Sequence, residues 1–205
     1  MIDFSLYLIT DRHQTAGRPL LEVVEAALSG GVRAVQLREK DLSPVELYEL
    51  AWELRALTSR YDARLLINER IDVALAVEAD GVQLGINSLP VTAARRIAPD
   101  LLIGYSSHAV GEAAAALAKG ADFVTFGPVF ATPSKAAYGE PLGLAGLGRA
   151  CASTQGPVFA LGGIKQTNLP QVTATGCYRV ALISDILAAP DPAAAAEALR
   201  RGLLV

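Results

Sequence analysis

Eight short apolar runs punctuate the chain at regular intervals, and each is followed by a longer stretch of helical character. This alternation constrains the fold more than any other feature. The runs are SLYLITD (5–11), AVQLREK (34–40), RLLINE (64–69), GVQLG (81–85), LLIGYSS (101–107), FVTFGPV (123–129), PVFALGG (157–163) and YRVALIS (178–184). Several are nearly continuous in apolar residues and turn polar only at their C-terminal ends. Strands buried on both faces of a parallel sheet read this way. Between them, Leu21, Val24 and Ala27 recur at helical spacing before the Gly30-Gly31 stop. Ser43, Pro44 and Glu46 stand as N-cap, N1 and N3 of a second helix, the arrangement of a capping box. Another helical pattern ends on Gly120. Trp52 falls inside the second helix and is expected to pack against the strands.

Eight βα units fit a (β/α)8 TIM barrel, at the small end of that fold's size range. A doubly wound open sheet is the rival, but no G-x-G-x-x-G follows the first strand. The barrel uses the whole chain, so residues 1–205 are predicted to form one domain. With 52% apolar residues in 205, the chain can bury a large core. A net charge of −3 without a basic stripe gives no support for nucleic-acid binding. The first residues lack a basic, then apolar, leader pattern, and no apolar window approaches the ~20 residues of a membrane span. Cys151 and Cys177 show no CxxC spacing and read as free thiols. A cytoplasmic protein with small-molecule partners is expected. The residues single out no interface stripe, so pairing into a homodimer stays open.

Chemistry in such a barrel sits at the C-terminal strand ends, and those positions are unusually polar here. They hold Gln36, Arg38 and Lys40; Asn68 and Glu69; Gly85, Asn87 and Ser88; Ser106, Ser107 and His108; Thr132, Ser134 and Lys135; Gly162-Gly163; and Ser184 with Asp185. Gln36, Arg38 and Lys40 alternate at period two, which points all three to one side. Two cations placed together at a barrel mouth need an anion, either Glu69 or a ligand phosphate. Ser88 and Asp185 also suit plain helix-capping roles. The glycine pair after the seventh run and LISDIL after the eighth fit the barrel's recurrent phosphate site. Thr132, Ser134 and Lys135 add hydroxyls and a charge on a long irregular loop, suited to closing over an anion. His108 reads either as a proton shuttle or as a helix-start histidine bonded to backbone. Two histidines make a multi-histidine metal site implausible.

Taken in order, QLREK, INERIDVALAVEADGVQLG, GYSSH, GPVFATPSK and ALGGI resemble the family of thiamine phosphate synthase and its relative thiazole tautomerase across nearly the whole chain. For the synthase branch, the resemblance implies joining of hydroxymethylpyrimidine diphosphate to thiazole phosphate, with Mg2+ on the departing diphosphate. Carried over by position, Gln36 would contact the pyrimidine, while Arg38, Lys40, Asn68, Ser106, Thr132, Ser134 and Lys135 would surround substrate and leaving group. Gly162, Gly163, Ile183 and Ser184 would hold the thiazole phosphate.

The chain departs from the pattern at the metal. Glu69 stands where the family has aspartate, and Ser88 replaces a second aspartate. That weakens the expected Mg2+ site. GINSLP looks more like the tautomerase branch, which needs no metal, yet the histidine of a characterised tautomerase type falls here on Pro128. In that branch His108 or Glu69 would have to carry the proton. Three cations, Arg38, Lys40 and Lys135, suit a multiply charged diphosphate and favour the synthase. A thiazole tautomerase, or a non-catalytic thiazole-phosphate-binding regulatory paralogue, is the alternative.

Overall fold

The computed structural model describes residues 2–132 and 140–204. The eight runs form strands β1 (Leu6–Ile9), β2 (Ala34–Leu37), β3 (Arg64–Asn68), β4 (Gly81–Leu84), β5 (Leu102–Ser107), β6 (Phe123–Phe126), β7 (Val158–Leu161) and β8 (Val180–Leu182). They pair in parallel in strict chain order, and β8 returns to β1 to close the barrel. Helices follow the strands: α1 (Leu20–Ser29), α2 (Pro44–Arg60), α3 (Ile71–Ala76), α4 (Val91–Ile97), α5 (Val110–Ala118), α6 (Gly143–Ser153) and α7 (Leu169–Thr173). The chain ends in α8 (Ser184–Leu187) and α9 (Pro192–Leu203). The (β/α)8 expectation holds.

Alternation along each strand separates two apolar layers. Leu8, Val35, Leu65, Ile67, Val82, Ile103 and Val124 face outward and are buried beneath the helices. Tyr7, Ile9, Ala34, Leu66, Phe123, Phe159 and Ala181 face inward, joined by Ile2 and Phe4 ahead of β1. Phe4, Tyr7, Phe123 and Phe159 pack with ring centroids between 5.2 and 5.9 Å apart, mostly edge-to-face. Gly104 makes room for this cluster. A Cβ there would lie 2.4 Å from the Phe123 ring and 2.2 Å from the Gln83 side chain.

At α2 the capping box forms as expected. Ser43 Oγ accepts from the Glu46 amide, and the Glu46 carboxylate accepts from the Ser43 amide. Leu47, Ala51, Leu54 and Thr58 make its buried face. Trp52 is one residue, about 100°, off that face, and the expectation that it packs on the barrel fails. It is 56% exposed and lies against Tyr48, ring centroids 6.4 Å apart.

Two aspartates brace the end where strands begin, and they do so in the same way. Asp80, before β4, accepts from the Leu65 amide of β3 at 2.8 Å and from Arg55 of α2 at 2.5 Å. Asp122, before β6, accepts from the Ile103 amide of β5 at 2.7 Å and from Arg95 of α4 at 2.6 Å. Each carboxylate thus ties a strand start to the helix that precedes it. Among the described residues, no helix is long and apolar enough to cross a membrane.

Candidate active site

The register of the barrel brings the inward polar side chains to adjacent positions. Asn68 sits beside Gln83, and Ser106 beside Thr125. Gln36 Nε2 donates to the Tyr7 hydroxyl at 2.9 Å, and Tyr7 donates to Gln83 Oε1 at 3.4 Å. Gln83 Nε2 donates to Ser106 Oγ at 3.0 Å and to Thr125 Oγ1 at 3.4 Å. Five strands thereby share one hydrogen-bonded chain inside the barrel. Burial pushes the Tyr7 phenol well above its ordinary range, with a smaller opposing effect from Gln36. Ser107 points the other way, and its buried hydroxyl donates to the Thr125 carbonyl at 2.9 Å.

Arg38 is half-buried and Lys40 exposed. Among the described residues neither side chain has an ion-pair partner. The expected anion from Glu69 is not supplied to them. Their neighbouring carboxylates are used elsewhere: Arg12 pairs with Glu39 at 3.2 Å and with Asp41 at 2.6 Å. Arg12, and then His13, hold the Asp41 carboxyl well below the usual carboxylate range. Two cations that directly follow β2 are therefore left without a carboxylate partner among the described residues.

Glu69 follows β3 in the left-handed region, φ +63°, sparsely used by residues other than glycine. Its amide donates to the Gln83 carbonyl at 2.9 Å, which fixes that turn. Its carboxylate accepts from Ser88 Oγ at 3.4 Å, while Ser88 accepts from the Gly85 amide at 2.8 Å. Ser88 therefore braces its own loop and does not cap α4, whose N-cap is Pro90. Asn68 is half-buried beside this pair. Among the described residues no three His, Cys, Asp or Glu side chains cluster as a metal site. One carboxylate and one hydroxyl still fit Mg2+, which commonly uses one or two protein carboxylates and takes its other ligands from phosphate and water.

The loops after β7 and β8 are tied together. Asn168 Nδ2 donates to the Gly163 carbonyl at 2.9 Å, and the Gln166 amide donates to Asp185 Oδ2 at 3.0 Å. Asp185 is thus a brace between loops and not the cap of α8. Gly162 and Gly163 have φ of +97° and +65°, and both pack against the segment after β6. The amides of Gly163 and Ser184 donate to no other described residue, and Ile183 joins β8 to α8. Thr132 is half-buried just beyond β6. Ser134 and Lys135 lie outside the described residues. His108 is exposed, with Nδ1 2.5 Å from the Gly127 carbonyl and its amide on Glu112. It matches the backbone-bonded reading.

Sequence reasoning missed Tyr7, Gln83 and Thr125. A signal for Gln83 was present, because the tripeptide VQL occurs in both β2 and β4. A cleft of about 630 Å³ between α1 and α9, lined in part by Gly31, Arg33 and Arg200, shares no residue with this set.

Fold and polar mouth together define a small (β/α)8 barrel of the kind whose enzymes carry their chemistry at the C-terminal strand ends. The sequence profile described as thiamine monophosphate synthase matches residues 6–186, and the chain belongs to that family. A relative from Geobacter sulfurreducens, provisionally named a thiamine-phosphate synthase, is 60% identical over 97% of this chain and 93% of its own. The thiamine-phosphate synthase of Clostridium novyi is 45% identical over 97% of this chain and 98% of its own. Among solved structures, thiamine phosphate pyrophosphorylase from Pyrococcus furiosus superposes with a TM-score of 0.90 at 43% identity, covering 97% of this chain and 95% of that one.

Proposed function

We propose that this enzyme is a thiamine-phosphate synthase that joins hydroxymethylpyrimidine diphosphate to thiazole phosphate and releases diphosphate. The carbon–oxygen bond between the pyrimidine methylene and the diphosphate breaks, and the leaving group keeps the electron pair. The thiazole nitrogen then bonds to that methylene carbon. The observation that carries the reading is that Arg38 and Lys40, which directly follow β2 and its buried Gln36, have no carboxylate partner among the described residues. A site that holds cations without carboxylates is prepared for an anionic ligand, and fixed positive charge stabilises a leaving group as its charge develops.

Gln36 and Ser106 face the pyrimidine in this assignment, with Asn68, Arg38, Lys40 and Lys135 around the diphosphate. Thr132 and Ser134 are assigned to the substrates by family resemblance. The amides of Gly163 and Ser184, with Gly162 and Ile183 shaping the loops, receive the thiazole phosphate. Mg2+ would be held by Glu69, with Ser88 beside it, and would add positive charge against the diphosphate. The tautomerase reading has less support, because Pro128 has no side-chain group that can carry a proton and His108 Nδ1 is committed to a backbone carbonyl. The two cysteines are free, which suits a reducing compartment and a cytoplasmic enzyme.

The test is diphosphate release by purified protein given both substrates, with and without Mg2+. Mg2+-dependent release together with thiamine phosphate formation is expected. Absence of release, with the carboxythiazole phosphate aromatised instead, would transfer the chain to the tautomerase branch.

A further inference from the structure

The hydrogen-bonded chain inside the barrel has a direction, and that direction reaches the substrate. Gln83 Nε2 carries two hydrogens and meets two hydroxyl oxygens, those of Ser106 and Thr125. Its carbonyl oxygen is left to Tyr7, whose hydroxyl donates to it at 3.4 Å. The Tyr7 oxygen can then serve Gln36 only as an acceptor, and Gln36 Nε2 donates to it at 2.9 Å. Tyr7 is wholly buried and Gln36 and Gln83 are each 2% exposed, so water does not compete for these bonds. The end of the chain is open. Gln36 Oε1 has no hydrogen-bond partner among the described residues, yet it is not sealed from solvent.

We propose that Tyr7 and Gln83 are positioning residues that fix the polarity of the Gln36 amide, so that its carbonyl oxygen and its second N–H face the substrate side by side. This pair complements an aminopyrimidine, which offers an amino hydrogen next to an acceptor ring nitrogen. An oxo pyrimidine presents the reverse, a carbonyl next to a ring N–H, and meets acceptor with acceptor. Selectivity for the amino form is therefore set one and two side chains away from the ligand. Without the Tyr7 hydroxyl, the Gln36 amide can turn over and serve either pyrimidine. The proposal rests on the synthase reading, in which Gln36 contacts the pyrimidine.

Calorimetric binding of the aminopyrimidine methyl diphosphate and of its 4-oxo analogue tests this without turnover. The wild-type protein is expected to favour the amino form by at least about tenfold, since a mismatched hydrogen bond in a buried site is costly. Tyr7→Phe and Gln83→Met should abolish most of that preference, with affinity for the oxo form held or raised. Thermal unfolding of each variant establishes that it folds. Tyr7→Phe removes a single oxygen and carries the test if Gln83→Met does not fold. Retained preference in a folded variant, or equal losses for both ligands, would overturn the positioning role. A wild-type protein that binds neither pyrimidine would overturn the synthase reading itself, and this inference with it.

Discussion

The Ser88 hydroxyl lies 3.4 Å from the Glu69 carboxylate, so the two positions assigned to the metal by family resemblance are neighbours in space. They come from different loops, after β3 and β4, and are brought together by pairing of those strands. The second carboxylate of the family pattern is missing, but its place beside the first is kept.

Ser88→Asp should restore a paired carboxylate. Mg2+ affinity measured by calorimetry is expected to tighten by about tenfold, because ligand charge sets the affinity of such oxygen sites. Without metal the new carboxylate repels Glu69 and should lower the melting temperature; added Mg2+ should raise it above its metal-free value. An unchanged Mg2+ affinity would remove Ser88 from the metal position.

Tyr7 predicts a base-labile term in stability. Below pH 10, its ordinary value, both the folded and the unfolded chain carry the phenolic proton and this group adds no pH dependence. Above pH 10 the unfolded chain loses the proton while the buried phenol keeps it. The unfolded state then binds fewer protons, and stability falls by up to about 1.4 kcal/mol per pH unit. Tyr7→Phe should remove that slope. Denaturant titrations between pH 8 and about pH 11, compared as the difference between the two proteins, measure it directly; identical slopes would refute the assignment.

The barrel was legible because its strands are apolar on both faces and its helices carry their own stop and start signals, as at Gly30-Gly31 and Ser43 to Glu46. The polar strand ends were legible for the same reason, since polarity there interrupts an apolar run. Which way a single polar residue points was harder. Gln83 and Tyr7 each sit in a run that is buried on both sides, and only closure of the barrel fixes the inward phase. The period-two argument for Gln36, Arg38 and Lys40 weakens past Leu37, where β2 ends. Trp52 misled because its helix exposes Val45 and Tyr48 as well, so hydrophobicity alone did not mark the buried face.

Asp80 should matter for stability and not for chemistry, as expected of the end where strands begin. Its side chain is 17% exposed and pairs with both Arg55 and Arg64 besides the Leu65 amide. Asp80→Ala leaves these donors unsatisfied and should cost about 2–3 kcal/mol in urea unfolding. Asp122→Ala should cost less, because its side chain is 36% exposed. In both variants the kcat of the folded fraction should stay within about twofold of wild type. A fall in kcat without a fall in stability would place Asp80 in the active machinery.

Gly163 links the loop after β7 to the segment after β6. Its φ of +65° suits glycine, and an added Cβ would lie 2.7 Å from Phe130 Cβ and 3.1 Å from the Ala131 carbonyl. Gly163→Ala therefore carries a left-handed backbone penalty of about 1–2 kcal/mol and also pushes the loop after β7, one of the two assigned to the thiazole phosphate, away from the segment after β6. The expected result is a KM for thiazole phosphate raised about tenfold or more, with the KM for the pyrimidine diphosphate changed less. Gly176→Ala separates the two causes. Gly176 has φ +86° with nothing within 4 Å of an added Cβ, so it bears the backbone penalty without the displacement. Its KM values should match wild type. If Gly163→Ala behaves like Gly176→Ala, losing stability but binding thiazole phosphate normally, the glycine pair is a turn and the phosphate is held elsewhere.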